Sequence, residues 1–373
     1  MTRQRLVLLF SVPSALVLGG LGLLVAAGAT GRQASAGTNI GLEHPQHFVA
    51  RHLIASALAV GAGFAMVRVG VDRLLRAAPY LFVGALVAGL AVFIPGIGVR
   101  AAGASRWLHI GPLSGGPAPF LALGVALLLS AWGAPEPQPV AADDGLPRFV
   151  LALSMTFVAV LTLIVHPDFS AAGVTILVAL VALAGLGVGG RWLIPAAAGL
   201  AVALGFVAAQ FRYVGGRWHG FMAPLADRRG KGFEVLALAR ARAAAGGGGA
   251  GVGLGHGSTR RYLSSPESDY VFAVIVEELG KLAAALVVVA WLCIGVAAVL
   301  AARQASDRRL SAVSLAAGMA LLAPAALHIA VCVGLVPIIG VTMPLVSYDP
   351  AAVLTAGAEI GIIVAVARTG APA

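Results

Sequence analysis

The chain has 373 residues, of which 60% are hydrophobic and 11% are charged, and its mean hydropathy is +0.96. A soluble domain of this length could not bury so much apolar surface, so the composition excludes an ordinary soluble protein and indicates a polytopic membrane protein. The net charge of +10 would suggest nucleic acid as a partner of a soluble protein. Here the arginines between apolar segments account for it, so no nucleic-acid partner is expected.

Ten apolar segments are long enough to cross the roughly 30 Å core of a bilayer as helices. They cover residues 6–30, 48–67, 77–99, 117–133, 149–165, 169–190, 192–211, 282–302, 310–335 and 350–367. Solid apolar blocks of this kind differ from the alternating pattern of a membrane barrel. We therefore predict an all-α integral membrane protein with ten transmembrane helices, organised as a single domain over residues 1–373.

The distribution of arginine predicts the orientation of the chain. With the N-terminus in the cytoplasm, eleven arginines fall in inner segments and four in the short outer segments. Cytoplasmic loops carry this excess of positive charge, so both termini are expected in the cytoplasm. The first segment, 6–30, is expected to be a retained anchor, because its apolar stretch is longer than that of a signal peptide. The proline-rich residues 134–147 are expected to form a cytoplasmic connector.

One outer segment, 212–268, does not follow this charge rule, because it holds nine lysines and arginines. Long loops translocate regardless of their charge, so the predicted topology stands. Two interpretations remain open. The basic residues could bind anionic lipid headgroups, or they could line a pocket for a phosphate-bearing substrate on the outer face.

Acidic residues are concentrated in the stretch YLSSPESDYVFAVIVEELG, residues 262–280. One interpretation is purely structural: Ser265 caps a helix, Asp269 helps to begin it, and Lys281 pairs with Glu277 and Glu278. However, a helix over residues 270–301 would be about 48 Å long, well beyond the bilayer core. Its first turns should therefore border a wet cavity, and an ionisable residue at that depth indicates function.

The acidic stretch closely resembles the signature of the SEDS family, the shape, elongation, division and sporulation proteins that include RodA, FtsW and SpoVE. Four further stretches resemble elements of the family in the same order, so the resemblance runs over residues 51–368. They are GASRWLHIGPLS at 103–114, HPDFSAAGV at 166–174, GVGLGHGS at 251–258 and PIIGVTMPLVSY at 337–348.

The resemblance implies a ten-helix peptidoglycan glycosyltransferase that polymerises lipid II on the outer face of the bacterial cytoplasmic membrane. It also implies a class B penicillin-binding protein as partner, and a role in cell shape, division or sporulation. The residue that matches the catalytic carboxylate of the family is Asp269. Supporting structural roles are assigned to Asp168, Glu277 and Lys281.

The reaction explains why these residue types are required. A carboxylate such as Asp269 can take the proton from the attacking sugar hydroxyl as a general base. The charge that grows on the leaving diphosphate can be stabilised by arginines or by a divalent cation. Trp107 could stack on a sugar ring or simply anchor the chain at the membrane interface. The candidate basic residues are Arg106, Arg212, Arg217, Arg260 and Arg261.

Two motifs depart from the family pattern. Pro119 and Ala122 stand where the family has Glu and Lys, and Asp349 and Pro350 replace two glycines. Asp349 could compensate for the missing Glu. Two hypotheses therefore remain open: an active glycosyltransferase, or a degenerate relative that binds or moves a lipid-linked sugar or scaffolds cell-wall synthesis.

Overall fold

The computed structural model of the protein describes residues 3–35, 46–101, 104–110, 113–132, 145–228, 230–253, 258–263 and 265–369. Fourteen helices and three short strands form within these ranges. The helices are α1 Arg3–Ser35, α2 Gln46–Val69, α3 Val71–Ala91, α4 Ala118–Ala131, α5 Gly145–Val165, α6 Phe169–Gly185, α7 Gly190–Ala209, α8 Arg212–Met222, α9 Lys231–Ala244, α10 Ser258–Tyr262, α11 Val271–Glu278, α12 Gly280–Gln304, α13 Arg308–Val333 and α14 Pro350–Thr369. The strands are β1 Gly98–Ala101, β2 Ala104–Ile110 and β3 Leu113–Gly115.

The helices reproduce the ten predicted spans. Within the described ranges, seven helices are long and apolar enough to cross a membrane: α1, α2, α3, α7, α12, α13 and α14. Three shorter apolar helices, α4, α5 and α6, occupy the positions of the other three spans. The prediction of a multi-pass helical membrane protein is therefore confirmed, and most of the predicted connector at 134–147 lies outside the described residues.

Close packing of α14 against α2 shows how small residues hold the bundle together. A Cβ atom placed on Gly357 would collide with the carbonyl oxygen of Ala59, and one on Gly361 would collide with that of Gly63. Glycines spaced four residues apart let two membrane helices approach at backbone distance. This face of α14 is therefore committed to α2, and its opposite face is free to line an interior space.

A small antiparallel sheet lies between α3 and α4 and adds strands to the predicted helical fold. Strand β2 pairs with β1, with Trp107 opposite Val99, and with β3, with His109 opposite Ser114. The sheet pairs the backbone groups of this connection and holds the segment that bears Arg106 and Trp107. The connection between the third and fourth spans is thus an ordered element.

The eighth predicted span, 282–302, lies within α12, but the longer continuous helix expected over residues 270–301 is interrupted just before it. Helix α11 ends at Glu278 and α12 begins at Gly280. The φ angle of Gly280 is +87°, a conformation that residues with a side chain rarely adopt. A Cβ atom there would also collide with the backbone of Gly247.

The backbone groups exposed by this interruption bond to residues 246–253, which we call the glycine-rich segment. The Glu277 and Glu278 carbonyl oxygens accept hydrogen bonds from its amides, at 3.1 and 2.8 Å. The amides of Lys281 and Leu282 donate to its carbonyl oxygens, at 3.2 and 3.3 Å. Helix ends leave such groups without intrahelical partners, so the glycine-rich segment is what allows the helix to break at Gly280.

Candidate active site

A cavity of about 1080 Å³ opens between the bundle and the segments that join its spans on one side. Its outer wall comes from β2, the turn between α5 and α6, α8, the start of α9 and the segments before α11 and α14. It continues inward along α4, α13 and α14. The segment 212–268, predicted as an outer loop, therefore folds into helices α8, α9 and α10, and two of these reach the cavity.

Asp269 lies in the turn before α11, and its side chain lines the cavity. Its backbone amide donates to the carbonyl oxygen of Ser265 at 2.9 Å, and the Ser268 hydroxyl donates to its Oδ1 at 3.3 Å. Burial raises the pKa of the Asp269 carboxyl above its usual value, while the Ser268 hydrogen bond and the charge of Arg217 oppose that rise. A carboxylate in this state is a stronger proton acceptor than an exposed one.

Arg106 and Trp107 both line the cavity, where the sequence placed them. Arg106 donates from Nε to the carbonyl oxygen of His166 at 2.8 Å and from Nη2 to that of Pro167 at 2.5 Å. These two carbonyls follow the last residue of α5, so the guanidinium joins the sheet to the turn between α5 and α6. Arg106 thus has a structural role while its charge faces the cavity.

Arg217 and Lys231 bring further positive charge to the cavity wall. The Arg217 guanidinium carbon lies 5.2 Å from the centre of the Tyr213 ring, a cation–π contact. Tyr213 in turn donates from its hydroxyl to the carbonyl oxygen of Pro167 at 2.7 Å. Together with Arg106, these cations surround the mouth of a cavity that holds Asp269, an arrangement suited to an anionic ligand.

Three other predicted basic residues do not contribute described side chains to the cavity. Arg212 is exposed at the start of α8, because five residues along a helix place it well away from the face of Arg217. Arg260 is held in a buried ion-pair network, with its side chain only 4% exposed. The side chain of Arg261 lies outside what the structure describes.

The predicted pairing of Lys281 with two acids is also wrong. Glu278 accepts from Arg260 Nε at 2.5 Å and from the Gly253 amide at 3.0 Å. Glu277 accepts from the Thr259 amide and hydroxyl, and the described ion pairs do not include Lys281, which is exposed. The interruption at Gly280 is the physical reason, because the i, i+3 and i, i+4 geometry requires a continuous helix.

Asp168 caps α6 at the edge of the cavity. Its Oδ1 accepts from the Ala171 amide at 3.0 Å and from the Ser170 hydroxyl at 2.8 Å. A carboxylate here accepts a hydrogen bond from an amide in the first turn of the helix, and its negative charge interacts favourably with the positive end of the helix dipole. The structure therefore supports a helix-capping role for Asp168.

Asp349 lies in the same cavity as Asp269, although the two are 80 residues apart in the chain. It directly precedes α14 and accepts from the amides of Ala351 and Ala352 at 3.1 and 3.3 Å, and from the Thr342 hydroxyl at 3.2 Å. Burial raises the pKa of Asp349 to about 6, and the charge of Asp269 adds to the rise.

Pro119 and Ala122, which stand where the family has Glu and Lys, line the cavity too. That part of the wall carries no charge. Asp349, directly before α14, adds a carboxyl to the cavity that the sequence of α4 does not supply.

Several cavity residues were not singled out from the sequence, among them the charged residues Asp227, Lys231 and Glu359. Lys231 was counted among the basic residues of segment 212–268, and only the fold shows that it reaches the cavity. Glu359 lies inside α14 on the face opposite Gly357, is 3% exposed and lines the inner end of the cavity. A lone acid within a predicted span was the available signal for Glu359.

The described residues include no group of three or more His, Cys, Asp or Glu side chains placed to hold a metal ion. Several carboxylates nevertheless line one cavity, and Asp349 is among them. Mg²⁺ is commonly bound by one or two carboxylates together with water and substrate phosphates. The donor set therefore fits a divalent cation only when a phosphate-bearing ligand completes its coordination.

Comparison with known proteins identifies the family. The sequence model for cell cycle proteins of the FtsW, RodA and SpoVE type matches residues 10–371. The probable peptidoglycan glycosyltransferase FtsW of Halorhodospira halophila is 30% identical over 351 residues, covering 92% of this chain and 86% of that protein. Stage V sporulation protein E of Bacillus subtilis is 25% identical over 280 residues, covering 74% of this chain and 75% of its own length.

Solved structures show the same fold. A chain from the study "Structural coordination of polymerization and crosslinking by a peptidoglycan synthase complex" aligns with a TM-score of 0.75 and 22% identity, covering 96% of this chain and 97% of its own. The rod shape determining protein RodA of Thermus thermophilus aligns with a TM-score of 0.65 and 20% identity, covering 96% and 95%. The chain belongs to the FtsW, RodA and SpoVE family of cell cycle proteins, the SEDS family.

Proposed function

We propose that this protein is a peptidoglycan glycosyltransferase that polymerises lipid II, with Asp269 as general base. The observation that carries the proposal is the position of Asp269 in a cavity whose mouth is lined by Arg106, Arg217 and Lys231. Relatives at 30% identity that are named as probable peptidoglycan glycosyltransferases support the same assignment.

The proposed reaction joins two lipid-linked disaccharides. The hydroxyl oxygen of one sugar bonds to the anomeric carbon of the other as the bond from that carbon to the diphosphate oxygen breaks. The hydroxyl proton passes to the Asp269 carboxylate, and the bonding electron pair leaves with the diphosphate. The cations at the mouth of the cavity stabilise the charge that develops there. A divalent cation that accompanies the diphosphate would supply further stabilisation, with Asp349 as its carboxylate ligand.

The proposed setting is the bacterial cytoplasmic membrane, with the cavity on its outer face and both termini in the cytoplasm. The arginine distribution supports this orientation. Reporters fused after Arg368 test it, because a fusion that is active only outside the cell contradicts the orientation.

A class B penicillin-binding protein is the proposed partner. The fold is shared with a chain from a peptidoglycan synthase complex that coordinates polymerization and crosslinking. The polymerisation assay is therefore to be run both with and without such a partner.

A second candidate is a degenerate relative that binds a lipid-linked sugar without joining two of them. The uncharged cavity wall at Pro119 and Ala122 favours this alternative. The presence of Asp349 in the same cavity as Asp269 favours the enzyme, because the cavity then keeps a further carboxyl despite the loss of the family Glu at Pro119.

Lipid II polymerisation by the purified protein distinguishes the two. The wild type is expected to form glycan chains, and Asp269→Asn is expected to lose about 10²-fold or more of the rate, the usual scale for a lost general base. Asp72→Asn is the matched control, since Asp72 is an exposed acid at the start of α3. Near-wild-type activity of Asp269→Asn contradicts the assignment, and a wild type that binds lipid II without polymerising it supports the second candidate.

A further inference from the structure

Glu234 connects three parts of the outer wall of the cavity. It lies in the first turn of α9, and both of its carboxylate oxygens accept from Lys231 Nζ at 2.9 Å. One of them also accepts from the Tyr270 hydroxyl at 2.9 Å. Tyr270 is 2% exposed and is the residue directly after Asp269. A single carboxylate therefore joins α9, a cation of the cavity wall and the start of α11.

The burial of this contact makes it more than a surface ion pair. The Glu234 side chain is 13% exposed, whereas that of Lys231 is 41% exposed. An i, i+3 pair on an exposed helix contributes only a few tenths of a kcal/mol. A charged acceptor for the hydroxyl of a buried tyrosine contributes more, because a phenol without a partner would be costly there.

The charge of Glu234 also acts on Asp269. Burial is the largest cause of the raised pKa of the Asp269 carboxyl, and the negative charge of Glu234 raises it further. Arg217 and Lys231 oppose the effect. Removing one carboxylate thus alters both the mechanical support of the Asp269 turn and its electrostatic environment.

We propose that Glu234 is a positioning residue, which fastens α9 to the turn that bears Asp269 and holds Lys231 at the cavity wall. The inference rests on the proposed glycosyltransferase function for its effect on rate. The fastening itself does not depend on that function. It makes helix α9, a part of segment 212–268, a structural support of the reacting carboxylate.

Several charged and titratable groups near Asp269 influence its pKa. Arg217 faces it from α8, Lys231 and Glu234 from α9, and Tyr270 follows it in the chain. The Ser268 hydroxyl of the same turn donates to it, and among the described residues the charge of Asp269 also acts on Asp349, directly before α14, and on Cys332 of α13.

Two variants separate the mechanical effect from the electrostatic one. Glu234→Gln removes the charge, so the pKa of Asp269 falls. Because the base works in its ionised form, the acid limb of the pH–rate profile should move to lower pH. Tyr270→Phe removes the hydrogen bond but leaves the Glu234 charge in place, so the limb should stay where it is. Both variants should lose about tenfold or more in kcat through misplacement of the base.

Lys231→Met should shift the acid limb of the pH–rate profile in the opposite direction. Its loss removes a positive charge that lowers the pKa of Asp269, so the acid limb should move to higher pH. Asp72→Asn is the control for removing an acid far from the cavity, and its profile should match that of the wild type.

Hydrogen exchange supplies a readout that does not need activity. In Glu234→Gln and Tyr270→Phe, amide exchange in peptides from α9 and from residues 265–278 should rise together, while α2 and α14 stay unchanged. If the wild type is inactive but both variants still show this coupled rise in amide exchange, the role of Glu234 in fastening α9 is supported and only the proposed function is contradicted. Unchanged exchange in both variants, or an identical shift of the acid limb in both, overturns the role of Glu234.

Discussion

Replacing Arg260 by alanine tests whether this arginine holds the fold or binds the substrate. Its Nε and Nη2 donate to the two carboxylate oxygens of Glu278 at 2.5 and 3.1 Å. Its Nη1 lies 3.1 Å from Glu267, and Nη2 also donates to the Val25 carbonyl oxygen of α1 at 3.0 Å. One guanidinium thus joins α10, α11 and α1.

The expected loss in the free energy of unfolding follows from the burial of the ion pair between Arg260 and Glu278. The side chains of Arg260 and Glu278 are 4% and 2% exposed. Removing one partner of a buried ion pair leaves an uncompensated charge and typically costs about 3–5 kcal/mol. At about 2 °C per kcal/mol for a chain of this size, the midpoint of thermal unfolding should fall by about 6–10 °C.

The assay is thermal unfolding of the purified protein in detergent, compared at one scan rate because unfolding of large proteins is often irreversible. Arg240→Ala is the matched control, since Arg240 is an exposed arginine on the adjacent helix α9. Its change should stay within about 0.5 kcal/mol. The double variant Arg260→Met with Glu278→Gln should recover part of the loss, because it removes both charges.

A role for Arg260 in substrate binding would give a different result. If Arg260→Ala unfolds at the wild-type temperature and instead raises the KM for lipid II, Arg260 contacts substrate and the buried network is not what holds it. A destabilised protein with an unchanged KM agrees with a structural arginine.

Asp349→Asn should remove a pH dependence of the free energy of unfolding. The folded-state pKa of Asp349, near 6, lies above its unfolded value. The stabilising contribution of Asp349 is therefore complete below about pH 4 and is lost as pH rises through 6. Thermal midpoints between pH 4 and 8 check this, and an unchanged slope in the variant contradicts it. Gly280→Ala should destabilise by about 2 kcal/mol or more, because its φ is +87°, whereas Gly199→Ala on α7, with open space around it, should be neutral or stabilising. Glu359→Leu should raise the thermal midpoint, since this buried acid has no described ion-pair partner; a lower midpoint would show that the carboxyl is needed for packing.

Features that depend on residues close together in the chain could be predicted from the sequence. The ten spans follow from runs of apolar residues that a bilayer requires. Asp269 stood out because an acid at the start of an over-long apolar helix needs a wet environment. Arg106 and Trp107 were placed beside the cavity for a similar reason, as polar and aromatic residues at the end of a span.

What the sequence did not predict depends on partners distant in the chain. A helix was expected through Gly280, because one glycine in an apolar run costs only about 1 kcal/mol. The interruption exists because backbone groups of residues 246–251, some 30 positions earlier, bond to both sides of it. Likewise, nothing in the charge pattern distinguishes the buried Arg260 from the exposed Arg212, since nine basic residues share the same segment.

The glycine-rich segment has a consequence for inherited variation in this protein. Gly249, Gly251 and Gly253 have φ angles of +72°, +99° and +69°. Every missense change of a glycine codon introduces a Cβ atom, so none of these three positions has a conservative replacement. Within a tract that looks like a repetitive, permissive linker, these three glycines should therefore tolerate mutation poorly, whereas Gly246, Gly247 and Gly248, with open space around them, should tolerate it better. Bacterial populations should carry synonymous changes at the three intolerant codons and very few others.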